Sequence, residues 1–554
     1  MPQTYEIPAN QRQAVDITVT TSKGQVVGKQ WTPKPSSQAS YDAFLGIPYG
    51  KISGRFQPAV ERDPWSSPLA VQADGPVCPQ PNAVFSEDCL YLNVFTPVDA
   101  YKTPGTYPVI AYIHGSAFTA GSSDSRFYGP DFIVPEGVIL VTMNYRMGAT
   151  GFLSLGSSVA PGNLGLTDTQ LALEWVQKEI SAFGGNPQQV TLAGQSAGSV
   201  MTMFHYLSNT SSGMFERAIA HSGSALSTWG HVTAAEAVRR AKLLTDAVGC
   251  DSKTNDTEIL KCLQTVDIKA IVNNQNITLP VENVASGNQL PFVPVIDTSY
   301  GKPAFFTDSL ENLVKNAVAR AKPLVTGFTT EEGIFLIGME GWKSAEANLK
   351  GFIPRKIQDS LNDQQKTALG KEIKSKYFSD TFDQNKIWDI VKLYTDYLFA
   401  YPSIEMINSL SNITYAYVFG YDGTWSAMPN FISKYHFQGV YHGADMAYLF
   451  YSSQDIGSCT TNSPNLVVKD YMVKWWTNFA KNGIPDATGQ WGTASNGFFR
   501  VFNTTISSTN SSIVQDIYYN FWDNLTPASL SSASSFKTNL VLISLLCIIL
   551  KRFL

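Results

Sequence analysis

The sequence predicts an α/β protein built on one large, mostly parallel, twisted sheet with helices on both faces. Three observations carry this: apolar runs rich in β-branched residues recur at wide intervals, helix-period segments lie between several of them, and no linker rich in Pro, Gly and Ser divides the chain before residue 527. The runs are YPVIAYIHG (107–115), GVILVTMNY (137–145), QVTLAGQS (189–196), ERAIAHSG (216–223), AKPLVTGF (321–328) and ITYAYVFG (413–420). Their unbroken apolar character reads as strands covered on both faces. LTDTQLALEWVQKEISAF (166–183) and AAEAVRRAKLLTDAVG (234–249) have helical spacing. Strands alternating with helices imply parallel pairing through crossover connections.

At about 150 residues per domain, a chain of 554 residues would make three or four domains. The long segments between strands instead read as insertions into a single unit, 1–526, followed by a Ser-rich and apolar tail, 527–554. Hydrophobic residues make up 44% and charged residues 15%, against roughly 25% charged in ordinary soluble domains, which excludes a charge-solvated disordered chain. A net charge of -5 without a long basic run argues against nucleic acid as a partner. No fixed-period repeat is visible, so solenoid and collagen-like architectures drop out.

Four of the six cysteines form two close pairs, Cys78 with Cys89 and Cys250 with Cys262. Local loop-closing disulfides and unpaired buried thiols both fit this spacing, which is not zinc-like. Cys459 and the tail's Cys547 have no evident partner. Seven glycosylation sequons begin at Asn209, Asn255, Asn276, Asn412, Asn503, Asn510 and Asn524. With the cysteine pairs they favour an extracellular or cell-surface protein, although the first twenty residues hold no apolar stretch of the roughly seven to fifteen residues that a signal peptide uses. At the other end, SLSSASS (529–535) and a short polar spacer precede LVLISLLCIIL, Leu540 to Leu550. Eleven helical residues span about 16 Å, short of a hydrocarbon core of about 30 Å. Small residues, spacer and apolar tail match a glycolipid (GPI) anchor signal that would attach the chain to a membrane, with a short membrane-associated tail or a packed terminal helix as the alternatives.

Gly194-Gln195-Ser196-Ala197-Gly198 fits G-x-S-x-G, a weak signal as a bare string. It gains meaning from its setting, because it closes the strand QVTLAG and opens the helix-compatible SAGSVMTMFHYL. A strand-turn-helix of this kind exposes the serine hydroxyl above the sheet. That hydroxyl needs a base held by a carboxylate, in the chain order Ser, acid, His. His205, His221 and His231 precede most of the remaining strands, which leaves His436 and His442. His442, in the Gly-flanked GVYHGAD after ITYAYVFG, has the better setting; His436 reads as a surface or packing residue. Glu331 and Glu332 in TGFTTEEG are both open as the acid.

The residues that now stand in order resemble the type-B carboxylesterase and cholinesterase family of α/β-hydrolases: FLGIPYG (44–50), SEDCLYLNVFTP (86–97), IHGSAF (113–118), NYRMGATGFL (144–153), the block 162–198 ending in GQSAG, HSGSA (221–225), EEG (331–333) and GVYHGAD (439–445). The resemblance runs from about residue 19 to residue 500. It implies the α/β-hydrolase fold, the triad Ser196, Glu332 and His442, disulfides Cys78–Cys89 and Cys250–Cys262, and structural ion pairs Arg146–Asp168 and Arg55–Glu87. It also implies an oxyanion hole from the main-chain N–H groups of Ser116, Ala117 and Ala197, with His114 structural. Ser116 stands where the family commonly has glycine, so its Cβ is expected to narrow the loop or strain the backbone.

Cholinesterases of this family carry a longer loop between the first cysteines, with a tryptophan for the cationic head. Here CPQPNAVFSEDC has no Trp, which argues against choline esters, and leaves little room for a lipase lid. The expected activity is hydrolysis of uncharged, short- to medium-chain carboxylic esters, a small-molecule reaction with no metal and no cofactor. A histidine base works only when neutral, so activity is expected to fall below roughly pH 6. The alternative is a catalytically weak or inactive adhesion or binding protein on the same fold.

Overall fold

Among the described residues thirteen strands assemble into one sheet: β1 (Asp16–Thr21), β2 (Gly24–Trp31), β3 (Tyr41–Pro48), β4 (Leu69–Ala70), β5 (Tyr91–Pro97), β6 (Tyr107–Ile113), β7 (Ile139–Met143), β8 (Gly185–Gln195), β9 (Arg217–His221), β10 (Leu324–Thr329), β11 (Thr414–Phe419), β12 (Phe498–Phe502) and β13 (Ser507–Asn510). Their order is β1-β2-β3-β5-β7-β6-β8-β9-β10-β11-β12-β13, with β4 beside β2. The computed structural model describes residues 15–32, 39–276, 290–296, 305–320, 322–337, 345–378, 386–426, 438–451 and 464–526. His436, Cys459, Cys547 and the whole tail from residue 527 lie outside the described residues. Among the described residues no helix is long and apolar enough to cross a membrane.

From β7 through β12 every neighbouring pair is parallel. All six apolar runs singled out above fall in this part, and β7 and β10 are buried at every position. Such strands need helices on both sides. α1 (Leu164–Glu179) and α2 (Ala197–Leu207) coincide with predicted helical segments, and all eleven residues of α2 are buried. The sheet's two edges are antiparallel: β1, β2, β3, β5 and β7 pair antiparallel, as do β12 and β13. β1 alternates exposed and buried positions, so one of its faces is wet. That alternation, rather than an apolar run, is why β1 is inconspicuous in the sequence.

Both cysteine pairs are disulfide-bonded, Cys78–Cys89 and Cys250–Cys262. Arg146 grips Asp168 through Nε and Nη2, each at 2.7 Å, in a fully buried pair, and Arg55 pairs with Glu87 at 2.7 Å nearer the surface. The second disulfide closes a separation of 12 residues. Loop-closure entropy for a ring of that size predicts that a Cys250→Ala, Cys262→Ala variant loses about 3 kcal/mol of unfolding free energy. A urea titration that leaves the midpoint unchanged contradicts this.

Parallel strands bring their C-terminal ends to one edge, where α/β sheets bind ligands. Register defines that edge: Gly194 of β8 lies opposite Ile113 of β6, Gln195 opposite His221 of β9, and His221 opposite Gly327 of β10. HGSAF, GQSAG and TTEEG all leave the sheet there.

Candidate active site

Ser196 links the end of β8 to the start of α2 with φ 59° and ψ −124°, a conformation L-residues rarely adopt. Its N–H donates to the carbonyl of His221 at 2.8 Å, which pins the turn to β9. The flanking glycines are required by contact: a Cβ on Gly194 would run into the carbonyl of Gly198, and one on Gly198 into the carbonyl of Ile113. Strand, helix and both neighbours together hold the serine in this shape.

His442 reaches this turn from the loop after β11, and Glu332 from the turn after β10. His442 Nδ1 donates to Glu332 Oε2 at 2.5 Å. Glu332 is fully buried, and its Oε1 accepts from the Thr329 N–H at 2.7 Å, so both carboxylate oxygens are engaged. With the proton on Nδ1, Nε2 is left as an acceptor. In this structure the Gln195 side-chain amide donates to it at 3.1 Å. Glu331, the other acid left open by the sequence, does different work: its Oε2 accepts from the Val440 N–H at 2.6 Å, and its own N–H donates to the Val440 carbonyl at 3.1 Å. It clips the histidine loop to the acid turn two residues before His442.

A second buried pair, not foreseen in the sequence, ties the same loop down from the other side. His221 Nδ1 donates to Asp445 Oδ2 at 2.7 Å, Tyr417 donates to the same oxygen at 3.2 Å, and the Trp476 indole N–H donates to His221 Nε2 at 2.9 Å. His221 therefore holds Ser196 through its carbonyl and the His442 loop through its ring. The Asp of GVYHGAD was the only sequence signal. Around His442 itself stand Phe399, with ring centroids 4.7 Å apart, and Phe335 at 5.4 Å; Trp229 packs on Phe399 at 5.6 Å. Phe399 is presented by a π-helical turn, Thr395–Ala400, whose Thr395 hydroxyl accepts from the Gly333 N–H at 2.9 Å. Nothing in the local sequence marks this turn.

The HGSAF loop is more strained than the single Ser116 expectation. Ser116, Ala117 and Phe118 all have positive φ, 79°, 58° and 58°. Each left-handed L-residue costs roughly 1–2 kcal/mol, and tertiary contacts hold the run in place. Phe118 is fully buried against Phe152 and Trp229, and its carbonyl accepts from the Gly148 N–H at 2.6 Å. Ser116 is exposed and lines the cavity beside this loop. Among the described residues no protein group accepts from the main-chain N–H of Ser116, Ala117 or Ala197, the last at the N-terminus of α2. Unpaired donors at a helix N-terminus and a tight loop suit a developing anion.

Three other histidines are neutral packing residues. Burial takes His114 down to about 4, and His205 and His231 each to about 3. His114 stacks on Tyr145 beneath the oxyanion loop at 4.5 Å, in keeping with a structural role. His205 bridges Thr169 at 2.7 Å and Ser211 at 2.9 Å. An unfolded histidine takes up a proton below about pH 6.5. Native His205 resists until about 3, so the stability it contributes is complete above that unfolded value and drains away as pH falls between the two. The rate is about 1.4 kcal/mol per pH unit for one proton. Burial-raised carboxyls such as Asp396 act in the opposite sense, so the single-site difference is the informative quantity. His205→Gln is expected to flatten the acid slope of unfolding free energy by about one proton between pH 6 and 4; parallel slopes in urea titrations refute it.

The fold and the site define the α/β-hydrolase class: a nucleophile elbow after a central parallel strand, with acid and histidine arriving from later strands. The chain belongs to the carboxylesterase family, whose profile matches residues 15–522. It is 31% identical over 564 aligned positions to acetylcholinesterase from Bungarus fasciatus, covering 94% of this chain and 88% of the relative. Juvenile hormone esterase from Manduca sexta, solved with OTFP covalently attached, superposes with a TM-score of 0.81 at 28% identity, over 92% of this chain and 99% of that one.

Proposed function

We propose that this protein hydrolyses uncharged carboxylic esters of short to medium acyl length through an acyl-serine intermediate. The observation that carries the reading is the buried Glu332–His442 pair, which leaves Nε2 as an acceptor beside the strained Ser196 turn. As the ester enters, Ser196 replaces the Gln195 amide at Nε2. Its Oγ attacks the carbonyl carbon while Nε2 takes the hydroxyl proton. The oxygen's new negative charge is received by the N–H groups of Ser116, Ala117 and Ala197; losing one such donor costs about 3 kcal/mol in related chemistry. The C–O bond to the alcohol breaks as Nε2 returns the proton to the leaving oxygen, and a water activated by the same nitrogen then cleaves the acyl-enzyme. Glu332 keeps the proton on Nδ1 throughout. Phe335 and Phe399 crowd His442, Trp229 packs on Phe399, and together they support a limited acyl group.

The test is a p-nitrophenyl acetate burst together with mass spectrometry after exposure to an organophosphate. A stoichiometric burst and one adduct on the peptide containing Ser196 are expected. A wild-type protein that gives neither is not an esterase of this kind, and the non-catalytic binding reading replaces it.

A further inference from the structure

A cavity of about 580 Å³ opens beside the triad, within the range of roughly 300–1,000 Å³ that holds small molecules. Its place in the reaction follows from Gln195. The leaving oxygen must come within hydrogen-bond reach of His442 Nε2 to be protonated. Gln195 both lines the cavity and touches Nε2 at 3.1 Å, so the cavity starts where the alcohol leaves.

The polar groups on its wall are uncharged in sum and partly unspent. Arg126 gives Nε to both oxygens of Asp124, at 3.0 and 2.9 Å, and Nη2 to one of them. The pair cancels, and among the described residues the guanidinium keeps Nη1 free of a protein partner. The exposed Asn82 amide makes no hydrogen bond to any described residue, and the Ser122 hydroxyl is an acceptor only, from the Asp124 N–H at 3.4 Å. Phe127 and Phe450 line the same cavity. Among the described residues the lining offers a quaternary ammonium no unpaired carboxylate. The Asp124 charge is spent on Arg126, and Trp425, the lining indole, already stacks on Phe132 at 15° and on Tyr448 at 16°.

We propose that this cavity receives the alcohol half of an ester of an uncharged polyhydroxylated alcohol, a sugar or polyol, resting on the ester-hydrolase reading above. When the ester displaces the Gln195 amide from Nε2, a hydroxyl next to the ester oxygen takes up the freed amide, and outer hydroxyls meet Asn82, Ser122 and Arg126. An alkyl alcohol leaves that amide unpaired, a cost comparable to a lost hydrogen bond. The carbon skeleton of a sugar lies against the phenylalanines.

The experiment compares kcat/KM of the full chain for monoacetylated methyl glucoside, butyl acetate and acetylcholine, with p-nitrophenyl acetate as the reference ester. The glucoside ester is expected to exceed butyl acetate by at least about tenfold, the worth of one to two hydrogen bonds, with acetylcholine lowest. Asn82→Gly, which keeps the left-handed φ of 57°, and Gln195→Leu should each pull the glucoside-to-butyl ratio toward one. Unacetylated methyl glucoside should inhibit p-nitrophenyl acetate hydrolysis competitively. Butyl acetate or acetylcholine equal to or better than the glucoside ester, with p-nitrophenyl acetate still turned over, overturns this proposal alone. No turnover of p-nitrophenyl acetate removes the esterase reading and this one with it.

Discussion

Replacing Ser196 by alanine is expected to lower kcat toward p-nitrophenyl acetate by on the order of 10⁶ and to abolish both the burst and the organophosphate adduct. The size of the loss follows from how the site divides its labour. Once the nucleophile is gone, His442 has no hydroxyl to deprotonate, and the Glu332–His442 pair is idle. What remains is the oxyanion loop, which in comparable hydrolases still supplies roughly 10³–10⁴ over water. The fold should survive, since Ser196 Oγ makes no hydrogen bond to any described residue and its main-chain bond to His221 is untouched. Equal thermal melting of the two proteins checks this. Equal ester turnover would instead show that the hydrolysis arises elsewhere.

Glu332→Gln is expected to cost about 10⁴ in kcat, and Glu331→Gln less than about tenfold. The two acids are neighbours in sequence but hold different partners. Glu332 Oε1 accepts from the Thr329 N–H, so a glutamine there keeps its carbonyl on Thr329 and turns its NH₂ toward His442 Nδ1. That forces the ring proton to Nε2, and the base can no longer accept from Ser196. At position 331 a glutamine still offers an oxygen to the Val440 N–H, so the histidine loop stays clipped. The measurement is steady-state kcat for both variants; a larger loss at 331 than at 332 reverses the assignment of the acid.

Much of this arrangement is legible in the sequence, and the reasons are local. A central parallel strand is apolar where helices cover both of its faces, so β6, β7, β9, β10, β11 and the buried second half of β8 stand out as runs. The elbow needs glycine at 194 and 198 because neighbouring carbonyls leave no room for a Cβ. Other features are distributed. The edge strand β1 alternates and hides among polar segments. The left-handed run at 116–118 has no glycine to announce it, because buried Phe118 and the Gly148 N–H impose the shape from outside. Residue type does not separate Glu331 from Glu332.

By itself the sequence determined the α/β class and the chain order Ser196, Glu331 or Glu332, His442, since each depends on short stretches whose chemistry is stated by the residues themselves; it left the cysteine pairs open between disulfides and buried thiols, and the structure closes both as disulfides. Only the tertiary structure decided which groups meet: Glu331 on the Val440 main chain, His221 on Asp445, a π-helical turn that sets Phe399 against His442, and a charge-cancelled cavity beginning at Gln195. These are contacts between segments as far as 247 residues apart, as for Gln195 and His442. Sheet register and packing bring such segments together, and no local propensity encodes the meeting.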